Sequence, residues 1–148
     1  MALYAGNPKD KRLKKSILVI DDNSDLLVCD LIILERAGYE VLTAASGKEG
    51  LTALAESPAP DLVLLDMRMY DMSGLEFLET LEKQMPDILE NVPIVFFTNM
   101  DRVPESKASG FIRKDKGIDG LLKGVNRFIG AGSGHVKYPS MGKDKPSV

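Results

Sequence analysis

The chain has 148 residues, enough for one domain with a sizeable core, and carries a formal net charge of −3. That balance argues against a nucleic-acid binder acting through bulk charge, although it leaves room for a small basic patch. The single cysteine, Cys29, excludes an intramolecular disulfide and a Cys-rich zinc site and reads as a small apolar core residue, while no apolar run is long enough to span a membrane.

Residues 1–13 read as a flexible basic arm, broken by Gly6-Asn7-Pro8 and charged at Lys9, Lys11 and Arg12. No apolar segment follows these charges to make a signal peptide, so a cytoplasmic protein is the default expectation. Ile17-Leu18-Val19-Ile20 has the pattern of a buried strand and ends in two acids, Asp21 and Asp22. Asn23-Ser24-Asp25 supplies capping side chains for a first helix that ends near Ala37, with Gly38 as its stop. Leu26, Cys29, Ile33 and Ala37 make one core stripe along it. Leu27, Val28, Leu31 and Ile32 are left over, an apolar excess that suggests a partner surface.

Tyr39 to Thr43 reads as a short strand of mixed polarity, suited to a sheet edge. Ser46-Gly47-Lys48-Glu49 opens a second helix reaching about Ala55, with Leu51 and Leu54 facing inward. Leu62 to Leu65 is too short an apolar run for a buried helix and suits a central strand covered on both faces. It ends in Asp66. Turn chemistry follows up to Ser73-Gly74, and a third helix covers Leu75 to Met85, where Pro86 stops it. Pro93 to Thr98 is a fourth strand and Gly110 to Lys114 a short fifth. The last helix uses Ile118, Leu121, Leu122, Val125, Phe128 and Ile129 as its apolar stripe, and residues 132–148 read as a flexible tail.

Strands alternating with helices imply right-handed crossovers and one parallel sheet between two helical layers. The expected fold is a flavodoxin-like, doubly wound, five-stranded sheet in the order 2-1-3-4-5. In that order Asp21, Asp22 and Asp66 converge at the carboxyl ends of neighbouring strands. Three converging carboxylates need a cation, and a few hard oxygen ligands favour Mg2+. One oxygen of Asp66 is then free as a nucleophile toward a phosphoryl group, whose remaining charge calls for a lysine and hydroxyl donors. Thr98 and Lys114 end the fourth and fifth strands on the same rim.

With these residues in hand, the chain resembles the receiver domain of two-component response regulators over residues 14–131. The resemblance is carried by Ile17 to Asn23, by Asp66 with Gly74 eight residues later, by Phe96-Phe97-Thr98 and by Phe111-Ile112-Arg113-Lys114. It implies that Asp66 accepts phosphate from a sensor histidine kinase or a histidine phosphotransfer protein. It implies further that Asp22, Asp66 and the backbone carbonyl of Arg68 bind Mg2+ directly, with Asp21 helping through water. Thr98 then contacts the phosphoryl group, Lys114 pairs with it, and Phe111 occupies an aromatic switch position, although core packing accounts for Phe111 equally well. A receiver assists its own phosphorylation and dephosphorylation but is not otherwise an enzyme. The output partner is not named by the sequence, and direct nucleic-acid binding and membrane insertion are not expected.

Three departures from the family pattern stand out. Tyr70 replaces a customary proline, which predicts a less rigid loop after Asp66. Asp115, not proline, follows Lys114. Only twelve residues, Asn99 to Gly110, link the fourth strand to Phe111, so the fourth helix is expected to be a turn or two over Pro104 to Ser109. The face that carries output or dimerisation in receivers is therefore expected to be remodelled. Two other readings compete: a degenerate receiver acting as a constitutive interaction module, and a phosphohydrolase of the haloacid-dehalogenase type. The second needs an acid two residues after the nucleophile, where Arg68 stands.

Overall fold

The computed structural model describes residues 14–130. The basic arm and the tail expected from the sequence lie outside these residues. Five strands form one parallel sheet in the order β2-β1-β3-β4-β5: β1 Ser16–Ile20, β2 Glu40–Ala44, β3 Leu62–Leu65, β4 Ile94–Thr98 and β5 Gly110–Arg113. The helices are α1 Ser24–Arg36, α2 Gly47–Glu56, α3 Gly74–Gln84, α4 Pro86–Asn91 and α5 Gly117–Gly130, the last preceded by a 3-10 turn, Lys114–Lys116. This is the doubly wound, flavodoxin-like architecture expected from the alternating pattern.

The strands are apolar on both faces because both faces are covered. Leu18, Ile20, Val63, Leu65, Ile94 and Phe96 pack with Leu54 of α2 and with Phe77, Leu78 and Leu81 of α3. Their neighbours in the sequence, Ile17, Val19, Leu62, Leu64, Val95, Phe97 and Ile112, pack on the other face against α1 and α5. Side chains alternate across a strand, so one four-residue run serves two cores at once. The helix starts follow capping chemistry. Asn23, Ser46 and Ser73 each accept a hydrogen bond from the backbone N–H three residues on, and Ser73 with Glu76 completes a capping box.

Four expectations change. Along α1 the buried face is Leu27, Asp30 and Leu34, whereas Leu26 is 38% exposed and Cys29 and Ala37 are also exposed. The helix is therefore rotated from the stripe read above, and Cys29 is not a core residue. Pro86 does end α3, but it also begins α4 at its first position, where the missing N–H costs nothing. On α5, Leu121, Val125 and Ile129 are buried, while Ile118 is exposed.

The fourth crossover carries no helix at all: residues 99–109 run as irregular chain with bends. Met100, Val103 and Ala108 from this segment lie against the α2–α3 side of the sheet, and Lys107 pairs with Glu82 of α3 at 2.7 Å. A segment this short covers its share of the sheet with three apolar side chains and gains no room for a helical turn.

Candidate metal and phosphoryl site at the sheet rim

The parallel register sets the site. Ile20 pairs with Leu65, so the residues that follow them, Asp21 and Asp66, leave the sheet side by side. Carboxylate oxygens of Asp21, Asp22 and Asp66 lie within 4.8 Å of one another. Thr98 and Arg113 are likewise register partners on β4 and β5, which brings Lys114 to the same rim. There the Lys114 Nζ donates to Asp21 Oδ2 at 2.7 Å and to Asp66 Oδ1 at 3.5 Å, and lies 5.6 Å from the Phe97 ring centre. Asp21 is buried, Asp66 is half-buried and Asp22 is exposed.

Asp21 Oδ1 accepts a hydrogen bond from the Asn23 N–H at 2.9 Å, and Asp22 Oδ2 accepts from the Tyr70 N–H at 2.7 Å. The second bond ties the loop after β3 to the end of β1. The same loop is held by Asp71, whose two carboxylate oxygens accept the N–H groups of Gly47 (3.0 Å) and Lys48 (2.9 Å) at the start of α2. An Arg68–Ser73 bridge and a 2.7 Å hydrogen bond from the Gly74 N–H to the Met67 carbonyl close it. These hydrogen bonds hold the loop, one of them through the Tyr70 N–H, which a proline at position 70 would lack. Gly74 is required here by close approach: a Cβ at this position would meet the Phe96 ring at 2.6 Å and the Asp66 carbonyl oxygen at 3.0 Å.

The electrostatics follow from burial. Burial pushes the Asp66 carboxyl up, the positive charge of Lys114 pulls it back, and the negative charge of Asp21 raises it again, to about 6. Burial disfavours the Lys114 ammonium, but its hydrogen bond to Asp21 and the charges of Asp66 and Asp21 outweigh this and hold its pKa above the ordinary lysine value. Three acids facing one cation leave the rim with excess negative charge. A divalent ion would relieve it, and the all-oxygen donor set fits a hard cation.

The remaining expected residues are placed as follows. Thr98 is buried at the end of β4, and its Oγ1 accepts the Met100 N–H at 3.2 Å. Arg68 is exposed in the loop two residues past Asp66. Phe111 stands opposite Phe96 in the sheet but is 40% exposed, so it is not a core residue. Asp21, Asp22, Asp66 and Lys114 are brought together directly; Thr98 ends the adjoining strand.

One residue was missed. Asp30 is 6% exposed on the inner face of α1, and its Oδ2 has no hydrogen-bond partner among the described residues. Burial raises its pKa to about 6, against an opposing pull from Lys114 and a smaller push from Asp21. Its only sequence signal was an acid at helical spacing between Leu27 and Leu34, which an apolar-stripe reading discards.

Comparison with known proteins agrees with this geometry. The chain is 34% identical over 125 residues to the CAI-1 autoinducer sensor kinase/phosphatase CqsS of Vibrio cholerae, covering 80% of this chain but only 18% of that protein. It is 30% identical to sporulation initiation phosphotransferase F of Bacillus subtilis, covering 79% of this chain and 95% of the relative. Among solved structures, chemotaxis response regulator CheY4 of Vibrio cholerae superposes with a TM-score of 0.70 at 27% identity, over 78% of this chain and 98% of that one. The response regulator receiver domain family matches residues 17–126, and the chain belongs to that family.

Proposed function

We propose that the chain is a phosphoreceiver of two-component signalling, taking a phosphoryl group onto Asp66 from a histidine of a sensor kinase or of a histidine phosphotransfer protein. The observation that supports this best is the convergence of Asp21, Asp22 and Asp66, with Lys114 against them, on one rim of the sheet. In the transfer the N–P bond of the donor phosphohistidine breaks and a bond forms from phosphorus to a carboxylate oxygen of Asp66, leaving the imidazole to recover a proton from solvent.

Asp22, Asp66 and the Arg68 carbonyl would hold Mg2+, with Asp21 acting through water. When bound, the ion supplies positive charge beside the phosphoryl oxygens. Lys114 has an ammonium to offer to the new phosphate, exchanging its bond to Asp21 for one to the phosphoryl group. The Thr98 hydroxyl ends the adjoining strand as a further donor, since accepting the Met100 N–H leaves its own hydrogen free. Phe111, exposed on β5, then reports the change as a shift between two packed states. A cytoplasmic location and a partner that reads this shift belong to the same reading.

The donor protein needs a surface beside the rim. Val28 and Ile32, 54% and 46% exposed on α1, provide an apolar one together with Leu26. Leu27, which the sequence pattern had assigned to that surface, is buried instead.

The test is incubation with acetyl phosphate or a cognate kinase in Mg2+. The expected product is an acid-stable, base-labile adduct on the parent chain and none on Asp66→Ala. A second reading, a receiver that serves as a constitutive interaction module, is favoured by the helix-free crossover of residues 99–109. It predicts no adduct under any of these conditions.

A further inference from the structure

The acids at the end of β1 are braced by a closed ring of hydrogen bonds that passes through the first turn of α2. The Asp21 N–H donates to the Ala44 carbonyl at 3.1 Å, joining the end of β1 to the last residue of β2. Three residues on, α2 begins, and the Gly47 and Lys48 N–H groups donate to the two carboxylate oxygens of Asp71 at 3.0 and 2.9 Å. One residue before Asp71, the Tyr70 N–H donates to Asp22 at 2.7 Å. The ring thus starts and ends on neighbouring residues, Asp21 and Asp22, both members of the carboxylate cluster.

Asp71 joins the two halves of that ring. It is exposed and contributes no atom to the cluster of Asp21, Asp22 and Asp66. Its slight burial raises its pKa, but the Lys48 and Gly47 N–H groups outweigh this and hold the carboxyl below the ordinary aspartate value. The helix start therefore grips the charged form. Capping alone does not account for the arrangement. Ser46 is the helix's own cap and accepts the Glu49 N–H at 3.0 Å, whereas Asp71 reaches Gly47 from 24 residues away, on the loop that follows Asp66. Met72, the next residue, presses on the same turn: a Cβ on Gly47 would come within 2.4 Å of its Cγ. Loop and helix therefore meet through carbon as well as through the carboxylate.

We propose that Asp71 is a positioning residue for the metal side of the rim: by gripping the first turn of α2 it fixes the loop that presents the Tyr70 N–H to Asp22 and carries the Arg68 carbonyl. The proposal rests on the reading of the rim as a Mg2+ site. A loop held in place beforehand loses less freedom when an ion binds, and outer partners that orient ligands set much of a site's affinity. The coupling runs both ways, since an ion that favours the held loop also favours the gripped helix turn.

The test uses the isotope-labelled intact chain, read amide by amide by NMR. Without metal, Asp71→Ala is expected to raise the hydrogen-exchange rate of the Tyr70 amide several-fold. In a titration with magnesium chloride the same variant should bind about tenfold more weakly than the parent. Asp71→Asn, which keeps an acceptor oxygen for the helix but no charge, should fall between the two in both readouts. Ser46→Ala, which removes the helix's own cap, should lower the thermal midpoint as Asp71→Ala does, yet keep the parent's Tyr70 exchange rate and Mg2+ affinity. Mg2+ should also slow exchange at Gly47 and Lys48 in the parent and not in Asp71→Ala. Parent-like exchange or affinity in Asp71→Ala would overturn the proposal, as would Asp71→Asn no better than Asp71→Ala, or equal losses in Ser46→Ala. A parent that binds no Mg2+ would defeat the Mg2+ reading and the affinity half of the proposal with it. The metal-free exchange comparison would still decide whether Asp71 holds the loop.

Discussion

Asp66, half-buried, and Asp30, buried, share an elevated pKa of about 6 and both feel the charges of Lys114 and Asp21, but they differ in what they touch. Asp66 sits at the rim, with Lys114 at 3.5 Å and two further carboxylates within reach. Asp30 is enclosed on the inner face of α1, with Leu27 and Leu34 as its neighbours along the helix and one oxygen unpartnered among the described residues. Burial raises both. The difference lies in contact: Asp66 is within hydrogen-bond distance of Lys114 and shares its rim with two further carboxylates, whereas Asp30 feels the Lys114 charge through space and keeps an oxygen unpartnered among the described residues. A raised pKa by itself therefore does not mark the working acid; the partners do.

Removing Lys114 is expected to have the largest effect. Lys114→Ala leaves Asp21 and Asp66 facing each other without a cation, and removes the group proposed to receive the phosphoryl charge. Phosphorylation by acetyl phosphate is expected to slow by about a hundredfold, in line with losing one well-placed donor. Bound Mg2+ should be retained or tightened, because a positive neighbour is lost. Stopped-flow quenching of intrinsic tyrosine emission or a direct mass assay reads the first, and a metal titration the second. An unchanged rate would remove Lys114 from the site.

Asp30 comes next. Its folded pKa lies above the unfolded value near 3.8, so the folded state binds the proton more tightly. The destabilisation is absent below about pH 4, grows as pH rises toward 6, and is complete above that. Two pKa units correspond to about 3 kcal/mol. Asp30→Asn, which keeps the shape and removes the charge, is expected to raise stability by up to that amount at pH 7.5 and by nothing near pH 4, as read from urea melts at both values. Equal effects at the two pH values would mean that the Asp30 charge is not what the fold resists. Asp66 acts in the same direction, so part of the slope should survive in the variant and shrink when Mg2+ is added.

The smallest effects on stability are expected on the outer face of the same helix. Val28→Glu and Ile32→Glu should change the unfolding free energy by less than about 0.5 kcal/mol, as surface substitutions usually do. Phosphotransfer from a histidine phosphotransfer protein should nonetheless slow several-fold, while acetyl phosphate, which needs no docking surface, reacts as before. Leu27→Glu, one residue from Val28, should instead unfold the chain, since it buries a charge at a site 7% exposed. If Val28→Glu and Ile32→Glu leave protein-donor transfer untouched, the donor docks elsewhere.

The same helix shows where the sequence was legible and where it was not. The strands could be read because four apolar residues bounded by acids and turn residues fit little else, and the parallel order then brought Asp21, Asp22, Asp66 and Lys114 to one edge. On α1 most residues between Asp25 and Glu35 are apolar, so the helical phase is poorly defined, and the acid at position 30 pushed the assigned stripe to the wrong face. Pro86 was ambiguous for a different reason: proline both ends one helix and begins the next, and only the packing of Ile88 and Leu89 against the core distinguishes them. The crossover of residues 99–109 is legible as short, but its apolar residues Met100, Val103 and Ala108 have no helical repeat, and they lie in irregular chain.

Phosphoryl acceptance requires Asp66 to be chemically competent at the rim. Intact-mass measurement of the chain with acetyl phosphate, with and without Mg2+, followed by peptide mapping, tests this most directly. One added phosphoryl mass on the peptide containing Asp66, formed only with the metal and lost in Asp66→Ala, is the predicted result. No added mass, or an adduct that persists in Asp66→Ala, would contradict it.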